Sequence, residues 1–274
     1  MDKVPPSDAF LDLSDYARPA ARVLVRLLLP TSITPIHLTL AFTVVGLLAA
    51  LLLALNRWLL LAGLLLLLKS VLDAADGSLA RARQRPSRVG RFLDSVCDFV
   101  VMAAVFGSIA VAAWARSGQA AYFGLAGAAL LCATLQGSVF NYYSVRYRAQ
   151  AGGDQTSRTH ENAANGYPWD NPTLLGQLHQ AYRLIYGWQD ALMERLDHRV
   201  SPADAPVPRN FLTATTALGL GSQILVVAAC AALRQPVWAL WLFLTVGNLY
   251  WLLLMRLRHR TRPRMHASHN SPAD

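Results

Sequence analysis

Four aspartates lie close together in the stretch DAADGSLARARQRPSRVGRFLDSVCD, which covers residues 73–98 of an otherwise apolar chain. The first two are three residues apart and the last two are four apart, so each pair shares one face of a helix. Pro86 breaks the helix between the pairs, and Ser87 is a suitable cap for the next helix. The aspartates are Asp73 and Asp76 before the break, and Asp94 and Asp98 after it.

The spacing of the two pairs around residue 85 predicts that the four carboxylates face one another. Asp76 and Asp94 each lie nine residues from this point. Asp73 lies twelve residues before it and Asp98 thirteen after it. At a rise of about 1.5 Å per residue, the pairs have nearly equal depth on two antiparallel helices joined by a tight turn.

Four neighbouring carboxylates cannot all remain ionised in a low-dielectric place unless protons or metal ions neutralise them. Ligands that are all oxygen favour hard cations, which indicates Mg²⁺ or Mn²⁺. Two carboxylate pairs suit a centre of two ions about 3.5–4 Å apart, which is common in phosphoryl displacement. Ion pairing with nearby arginines is the alternative, but it accounts for one or two carboxylates and not for four at matched depth.

Small and basic residues between the aspartates are suited to a phosphate ligand. Gly77 and Gly90 have no side chain, so a ligand can approach the backbone closely. Arg81 lies one turn after Gly77 and is suited to a phosphate whose other oxygens contact the metal ions. Lys69, one turn before Asp73, either pairs with a carboxylate or extends its ammonium toward the headgroups.

The rest of the sequence is that of an integral membrane protein. Apolar residues make up 54% and charged residues 15% of the 274 residues, and runs such as LLLAGLLLLL favour lipid as the solvent. Six segments approach the roughly 20 residues needed to cross a bilayer, which predicts an all-α fold with six transmembrane helices. The predicted spans are Leu38–Leu55, Trp58–Ala82, Val89–Ala115, Ala120–Tyr143, Phe211–Leu233 and Val237–Met255.

Arginines indicate both the partner surface and the orientation. The net charge is +9, and its arginines lie between apolar segments, which favours anionic membrane lipids over nucleic acid. Three connections hold one arginine each, namely Arg57, Arg116 and Arg234, whereas the other side holds many. The positive-inside rule therefore predicts that both termini and residues 73–98 face the cytoplasm, at the inner membrane if the source is a bacterium.

Two segments outside the spans are predicted to be amphipathic helices. Residues 14–30 repeat arginine at helical spacing beside valine and leucine, which is typical of a helix at the membrane interface. Residues 149–206 hold a polar loop and a helix that begins at Asn171–Pro172, predicted to be cytoplasmic between the fourth and fifth spans. We interpret residues 1–264 as one membrane-embedded catalytic domain and 265–274 as a polar tail.

The aspartate stretch resembles the signature of the CDP-alcohol phosphotransferases, D-x2-D-G-x2-A-R-x8-G-x3-D-x3-D. The six-span layout with an interfacial helix before it is also similar to that family. All fixed positions of the signature are present, as Asp73, Asp76, Gly77, Ala80, Arg81, Gly90, Asp94 and Asp98.

This resemblance implies a membrane phospholipid synthase that transfers a substituted phosphate group from a CDP-linked donor, commonly CDP-diacylglycerol, to an acceptor alcohol and releases CMP. It further implies that the chain forms a homodimer. Among the residues, it implies that Asp73, Asp76 and Asp94 hold two divalent ions. Asp98 then acts as the general base and also contacts the second ion. The implied contacts of the CDP group are Gly77, Arg81 and Gly90.

Two further stretches have a partial likeness to the family. TPIHLTL resembles its TPN-x-x-T opening, but Ile36 replaces the asparagine, so we interpret the stretch as a helix that starts at Pro35. NYYSVRYRAQ loosely resembles a Ser-x-Arg-x-Arg-Ala pattern of relatives that use phosphorylated polyols. Arg146 and Arg148 are therefore candidate contacts of an acceptor phosphate, and the alternative is that they only anchor the span.

Two other functions compete with a phospholipid synthase. An intramembrane prenyltransferase also uses aspartates and Mg²⁺, but it would carry two separate acidic motifs, and this chain has one. A transporter would place its acidic ion site near the bilayer midplane, often within an inverted repeat, whereas this cluster lies beside a predicted cytoplasmic turn. The acceptor stays open among glycerol phosphate, inositol phosphate, serine, choline and another lipid.

Overall fold

The structure, a computed structural model, describes residues 4–152, 166–200 and 205–260. The predicted polar tail 265–274 and much of the predicted polar loop lie outside these residues. Within the described ranges every regular element is a helix, as the all-α prediction requires. The α-helices are α1 (Arg18–Leu28), α2 (Pro35–Ala54), α3 (Leu59–Ala82), α4 (Arg88–Ser117), α5 (Ala121–Gln150), α6 (Pro172–Tyr182), α7 (Trp188–Val200), α8 (Arg209–Thr215), α9 (Leu220–Ala232), α10 (Val237–Leu242) and α11 (Asn248–Arg260).

Short π-helical or 3₁₀ turns join some of these helices. A π-helical turn, Arg183–Gly187, makes α6 and α7 continuous, and another, Phe243–Gly247, does the same for α10 and α11. A 3₁₀ turn, Thr216–Leu218, lies between α8 and α9. Two more 3₁₀ turns, Pro6–Asp8 and Leu13–Asp15, precede α1.

Several helices are long and apolar enough to cross a membrane, so the chain is an integral membrane protein. Four segments meet this description: α2, α4, α5 and the stretch Val237–His259. The pair Arg209–Leu218 and Leu220–Ala232 adds a fifth if its two halves form one span, although it bends by 41°. α3 is 24 residues long, but every stretch of 18 residues within it holds at least three charged residues, whereas each of the four apolar segments has such a stretch with at most two.

The bend in the fifth segment lies at Gly219, whose backbone is extended, and the chain before α1 approaches the segment closely there. A Cβ at Gly219 would lie 2.6 Å from the Cβ of Ser14, and one at Gly221 would lie 1.9 Å from the Ser14 carbonyl oxygen. Side chains at both positions would therefore clash with this segment. The predicted span Phe211–Leu233 therefore corresponds to two helical halves that meet at a bend.

The helix break predicted at Pro86 is confirmed. α3 ends at Ala82, and Ser87 caps α4 by accepting a hydrogen bond from the Gly90 amide at 2.9 Å. The predicted helix start at Pro35 is also confirmed, because the Thr34 hydroxyl accepts from the His37 amide. Local capping chemistry therefore sets these ends.

The end of α3 is tied to the link between α1 and α2. Arg83 donates to the carbonyl oxygens of Leu28, Thr31 and Ile33 at 2.9, 2.8 and 2.6 Å. α1 itself packs through Ala21 and Val25 against the side chains of α2 and α3. It lies within the predicted range 14–30, and its place at the membrane interface stays a prediction.

α2 packs against both α3 and α4, whereas α3 and α4 make few direct backbone contacts with each other. Glycine permits two of the close approaches: a Cβ at Gly46 of α2 would lie 2.5 Å from Val101 of α4, and one at Gly63 of α3 would lie 2.9 Å from the Ala228 carbonyl oxygen of α9. The two aspartate-bearing helices thus diverge from each other and leave space between them.

The helix predicted to begin at Asn171–Pro172 is present as α6 and its continuation α7. The Asn171 side chain accepts from the amides of Thr173 and Leu174 at 3.0 and 3.1 Å. Leu175 and Tyr182 are buried against α4, and Met193 is buried against α5. This helix therefore covers the face of the bundle that α4 and α5 present, and its cytoplasmic location stays a prediction.

Candidate active site

The carboxylates of Asp73 and Asp76 on α3 meet that of Asp94 on α4 across the space between the two helices. One oxygen from each of the three lies within 4.8 Å of the others. Asp76 is 7% exposed, and Oδ1 of Asp94 is buried without a hydrogen-bond partner among the described residues. Buried polar atoms normally have a partner, and three carboxylates this close suit a divalent cation. These residues therefore fit a Mg²⁺ or Mn²⁺ ion.

Thr39 of α2 orients one of these carboxylates. Its hydroxyl donates to Oδ2 of Asp76 at 2.8 Å, and Thr39 is buried. Partners of this kind hold a metal-binding carboxylate in a fixed orientation. Thr39 was not among the predicted site residues, although its place at the end of TPIHLT was a signal in the sequence.

Asp98 is not part of the group of three carboxylates and pairs instead with Lys69. The Lys69 ammonium donates to Oδ2 of Asp73 at 2.7 Å and also contacts Oδ1 of Asp98. It lies 4.4 Å from the centroid of the Phe42 ring, and Lys69 is 1% exposed. Of the two arrangements considered for Lys69, pairing with carboxylates is therefore the one observed. A buried ammonium needs such partners because its desolvation is costly.

All four aspartates line one cavity of about 1070 Å³. Gly77, Arg81 and Gly90, the predicted contacts of the CDP group, line it too. Other parts of its wall are apolar, and a cavity with both kinds of wall suits an amphipathic ligand. The apolar lining includes Phe99, Met102, Ala133, Phe140 and Leu220.

Protein packing does not explain the two glycines of the motif. A Cβ at Gly77 would meet the Arg81 guanidinium at 3.4 Å, and a Cβ at Gly90 would meet Ser87 at 3.5 Å. Both are ordinary van der Waals distances, so alanine would fit in the protein itself. Close approach of a ligand is the remaining physical reason for glycine at these positions.

The two predicted acceptor contacts, Arg146 and Arg148, lie in different surroundings. Arg148 is buried and lines the cavity. Arg146 contacts the carboxylate of Asp197 on α7 and donates to the Ala205 carbonyl oxygen at 3.1 Å. Asp197 is 2% exposed and also accepts from the Tyr143 hydroxyl at 2.8 Å. Arg146 therefore belongs to a buried ion pair, and a role of Arg148 in acceptor binding stays a prediction.

Residues that the sequence analysis left without a role also line the cavity. They include Trp169, Asp170 and Tyr186. The Tyr186 hydroxyl donates to the Ser95 carbonyl oxygen of α4 at 3.1 Å. Burial and the negative charge of Asp98 raise the pKa of the Tyr186 phenol above its ordinary value, so it remains a donor. No local pattern in the sequence signals these contacts.

Known proteins are similar to this chain in the region that contains the aspartate motif. Residues 27–160 match the family model described as CDP-alcohol phosphatidyltransferase. The bifunctional IPC transferase and DIPP synthase of Thermococcus kodakarensis is 36% identical over 122 residues, which are 44% of this chain and 26% of that relative. The match thus spans about a quarter of the length of this curated relative.

Solved structures of phosphatidylinositol phosphate synthase from Mycobacterium tuberculosis are also similar. The structure with CDP-DAG bound is 21% identical, covers 82% of this chain and 94% of its own, and has a TM-score of 0.34. The structure with manganese and citrate is 21% identical, covers 82% of this chain and 88% of its own, and has the same TM-score of 0.34. The complete motif on α3 and α4 lies within the matched region, so residues 27–160 resemble a CDP-alcohol phosphatidyltransferase domain.

Proposed function

We propose that this protein is a membrane phospholipid synthase that uses CDP-diacylglycerol as donor. It transfers the phosphatidyl group to the hydroxyl of an acceptor alcohol and releases CMP. The observation that carries the proposal is the convergence of Asp73, Asp76 and Asp94 in a cavity that also has an apolar wall. A diphosphate with a lipid tail has the matching chemistry, because it offers metal-binding oxygens at one end and hydrocarbon at the other.

The aspartates and their neighbours have separate roles in this proposal. Asp73, Asp76 and Asp94 would hold two ions of Mg²⁺ or Mn²⁺, and Asp98 would be a further ligand. When bound, such ions polarise the diphosphate and stabilise the charge that develops on the departing CMP. Arg81 binds a donor phosphate oxygen, and the open backbone at Gly77 and Gly90 receives the nucleotide.

Asp98 is the general base. Its carboxylate takes the proton of the acceptor hydroxyl while the hydroxyl oxygen forms a bond to the phosphorus that carries the lipid. The bond from that phosphorus to the bridging oxygen breaks, and CMP leaves with the electron pair. Lys69 holds the Asp98 carboxylate in place by direct contact, which keeps the base oriented toward the reacting hydroxyl.

The membrane arrangement is part of the same proposal. α3 also crosses the membrane, which brings the number of spans to six. Its charged residues are accommodated because Lys69 pairs with Asp73 of the same helix and with Asp98 of α4. Both termini face the cytoplasm, as the arginine distribution indicates. The aspartates then lie near the cytoplasmic surface, where the soluble product CMP departs into water.

The test is CMP release by the purified protein in lipid nanodiscs. CDP-diacylglycerol or a CDP-linked small alcohol serves as donor, with Mg²⁺ or Mn²⁺. The acceptor panel is serine, glycerol 3-phosphate, inositol 1-phosphate, choline and a lipid with a free hydroxyl. We expect CMP only with CDP-diacylglycerol and a metal ion, and loss of the signal with EDTA. Asp98→Asn should lower turnover by about 100-fold or more, because it removes the base.

Asp8→Asn is the matched control, since the Asp8 carboxylate accepts from exposed Ser7 and does not line the cavity. It should release CMP at the wild-type rate. A folded wild-type protein that releases no CMP from either donor with any acceptor would falsify the reaction class. Release from the small donor alone would overturn the lipid donor. Diphosphate release from a prenyl diphosphate, in a parallel assay, would favour the prenyltransferase alternative.

A further inference from the structure

Residues 166–171 attach to the turn between α3 and α4, although they lie outside the matched family region 27–160. The reaction proposed above gives them no role. They are held against the turn by one carboxylate and one indole ring, and each makes contacts of its own.

Asp170 caps α4 from outside that helix. Its Oδ1 accepts from the Ser87 hydroxyl at 2.6 Å, and its Oδ2 accepts from the Arg88 amide at 2.9 Å. The first amides of a helix have no partner within it, and they favour a negative charge nearby. Ser87 in turn accepts from the Gly90 amide. A continuous hydrogen-bonded path therefore runs from Asp170 through Ser87 to Gly90.

Trp169 makes a second attachment to the same turn. Its indole nitrogen donates to the Pro86 carbonyl oxygen at 2.8 Å. The Arg85 guanidinium carbon lies 5.4 Å from the centroid of the indole ring. The Tyr167 ring stacks on the indole at 5.4 Å with an interplanar angle of 3°. Stacking of this kind lowers the mobility of the arginine and of the turn that carries it.

The attached segment also forms part of the cavity wall. Trp169 and Asp170 line the cavity together with Gly90 and Arg81. Further along α4, Lys69 contacts Asp98, and Tyr186 donates to the carbonyl oxygen of Ser95, one turn before Asp98. Asp98 lies about three turns after the start of α4. The start of α4 and its Asp98 region therefore depend on different partners.

We propose that residues 166–171 form a clamp that positions the α3–α4 turn for binding of the CDP group, with Trp169 and Asp170 as positioning residues. The clamp rests on the proposed function, because it presumes a CDP-linked donor. Loss of either contact frees the start of α4 and moves Gly90 from its place. Affinity for the nucleotide then falls, whereas the chemical step at Asp98 is retained.

The test separates KM for CDP-diacylglycerol from kcat at saturating acceptor in Asp170→Asn and Trp169→Ala. Asparagine keeps the shape of the side chain but has a single acceptor oxygen for three donors, since Oδ2 also accepts from the Tyr167 amide. We expect KM to rise by about tenfold in each variant, because each loses one hydrogen bond that involves a charged group or a ring. The kcat of each variant should stay within about twofold of the wild-type value. Trp169→Phe keeps a ring but removes the indole N–H, so its KM should rise less.

Trp188→Ala is the matched control, because Trp188 is 46% exposed on α7 and Trp169 is 45% exposed. It should leave KM and kcat at their wild-type values. Calorimetric titration of CMP with Mn²⁺ present gives a second readout that needs no turnover, and CMP affinity should fall by about tenfold in the two clamp variants.

The outcomes distinguish the clamp from the reaction itself. An active wild-type protein whose Trp169→Phe and Asp170→Asn variants keep both KM and CMP affinity overturns the clamp and leaves the proposed function intact. A fall in kcat at unchanged KM overturns it too, because the segment would then act on the chemical step. If the wild-type protein neither binds nor releases CMP, it is the proposed function that fails. If Asp170→Asn does not fold, Trp169→Phe decides by the same two measurements.

Discussion

The ammonium of Lys69 on α3 contacts the carboxylate of Asp98 on α4, and the same ammonium donates to Asp73. One buried cation therefore links the proposed base to the group of carboxylates that fits a metal ion. The contact restrains a side chain that would otherwise project into a wide cavity. It also offsets part of the negative charge that four aspartates place between two membrane helices.

Replacement of Lys69 tests this relationship. Lys69→Met keeps the length of the side chain and removes its charge, so the metal-free protein should lose about 3 kcal/mol of unfolding free energy. Saturating Mn²⁺ should reduce this loss, since the bound cation compensates the same carboxylates. Denaturation in detergent with and without Mn²⁺ measures both effects. Arg26→Met, which removes a positive charge from the exposed face of α1, should behave as wild type. Equal losses with and without Mn²⁺ would contradict the compensation.

Asp94→Asn should separate metal binding from stability. We expect Mn²⁺ affinity to fall by at least about 100-fold, because even outer partners of a metal ligand are worth 10–100-fold. The metal-free protein should unfold no more easily than wild type, because Oδ1 of Asp94 has no hydrogen-bond partner in the described part of the chain and a buried lone charge is costly. Calorimetric Mn²⁺ titration and thermal unfolding report the two quantities. Unchanged Mn²⁺ affinity would remove Asp94 from the site.

Thr39→Val tests the orientation of Asp76. Valine has the shape of threonine but cannot donate to Oδ2 of Asp76, so Mn²⁺ affinity should fall by about tenfold. Thr43→Val is the control one turn along α2, since the Thr43 hydroxyl bonds the backbone carbonyl of Thr39 at 2.7 Å. Equal Mn²⁺ affinities in the two variants would show that the hydrogen bond to Asp76 does not matter for the ion.

Asp197→Asn tests whether Arg146 serves the fold or the acceptor. Asp197 contacts Arg146 and lies 3.5 Å from the Nε of Arg258, so the substitution removes one buried carboxylate charge from beside two guanidinium groups. The unfolding free energy should fall by about 3 kcal/mol, while KM for the acceptor is unchanged. Glu194→Gln, on the same helix but more exposed, should alter neither. A higher acceptor KM in Asp197→Asn would instead place Arg146 in acceptor binding.

The aspartate pairs show how far local rules reach. Their spacing of three and four residues, with a helix break at Pro86, predicted that carboxylates from two helices face one another, and Asp73, Asp76 and Asp94 do so. The helix starts at Pro35 and Pro172 depend on the capping residue that precedes each proline. Such features depend on residues within one or two helical turns, so the sequence by itself determines them.

Tertiary structure decided the partners of these residues. Thr39 reaches Asp76 across 37 positions of the chain, and Lys69 reaches Asp98 across 29. Ser87 meets Asp170 across 83 positions. Contacts at such separations depend on how helices pack, and membrane helices with similar leucine-rich surfaces leave that packing undetermined by composition. The close approach of Ser14 to Gly219 and Gly221 at the bend is likewise a contact between residues about 200 positions apart.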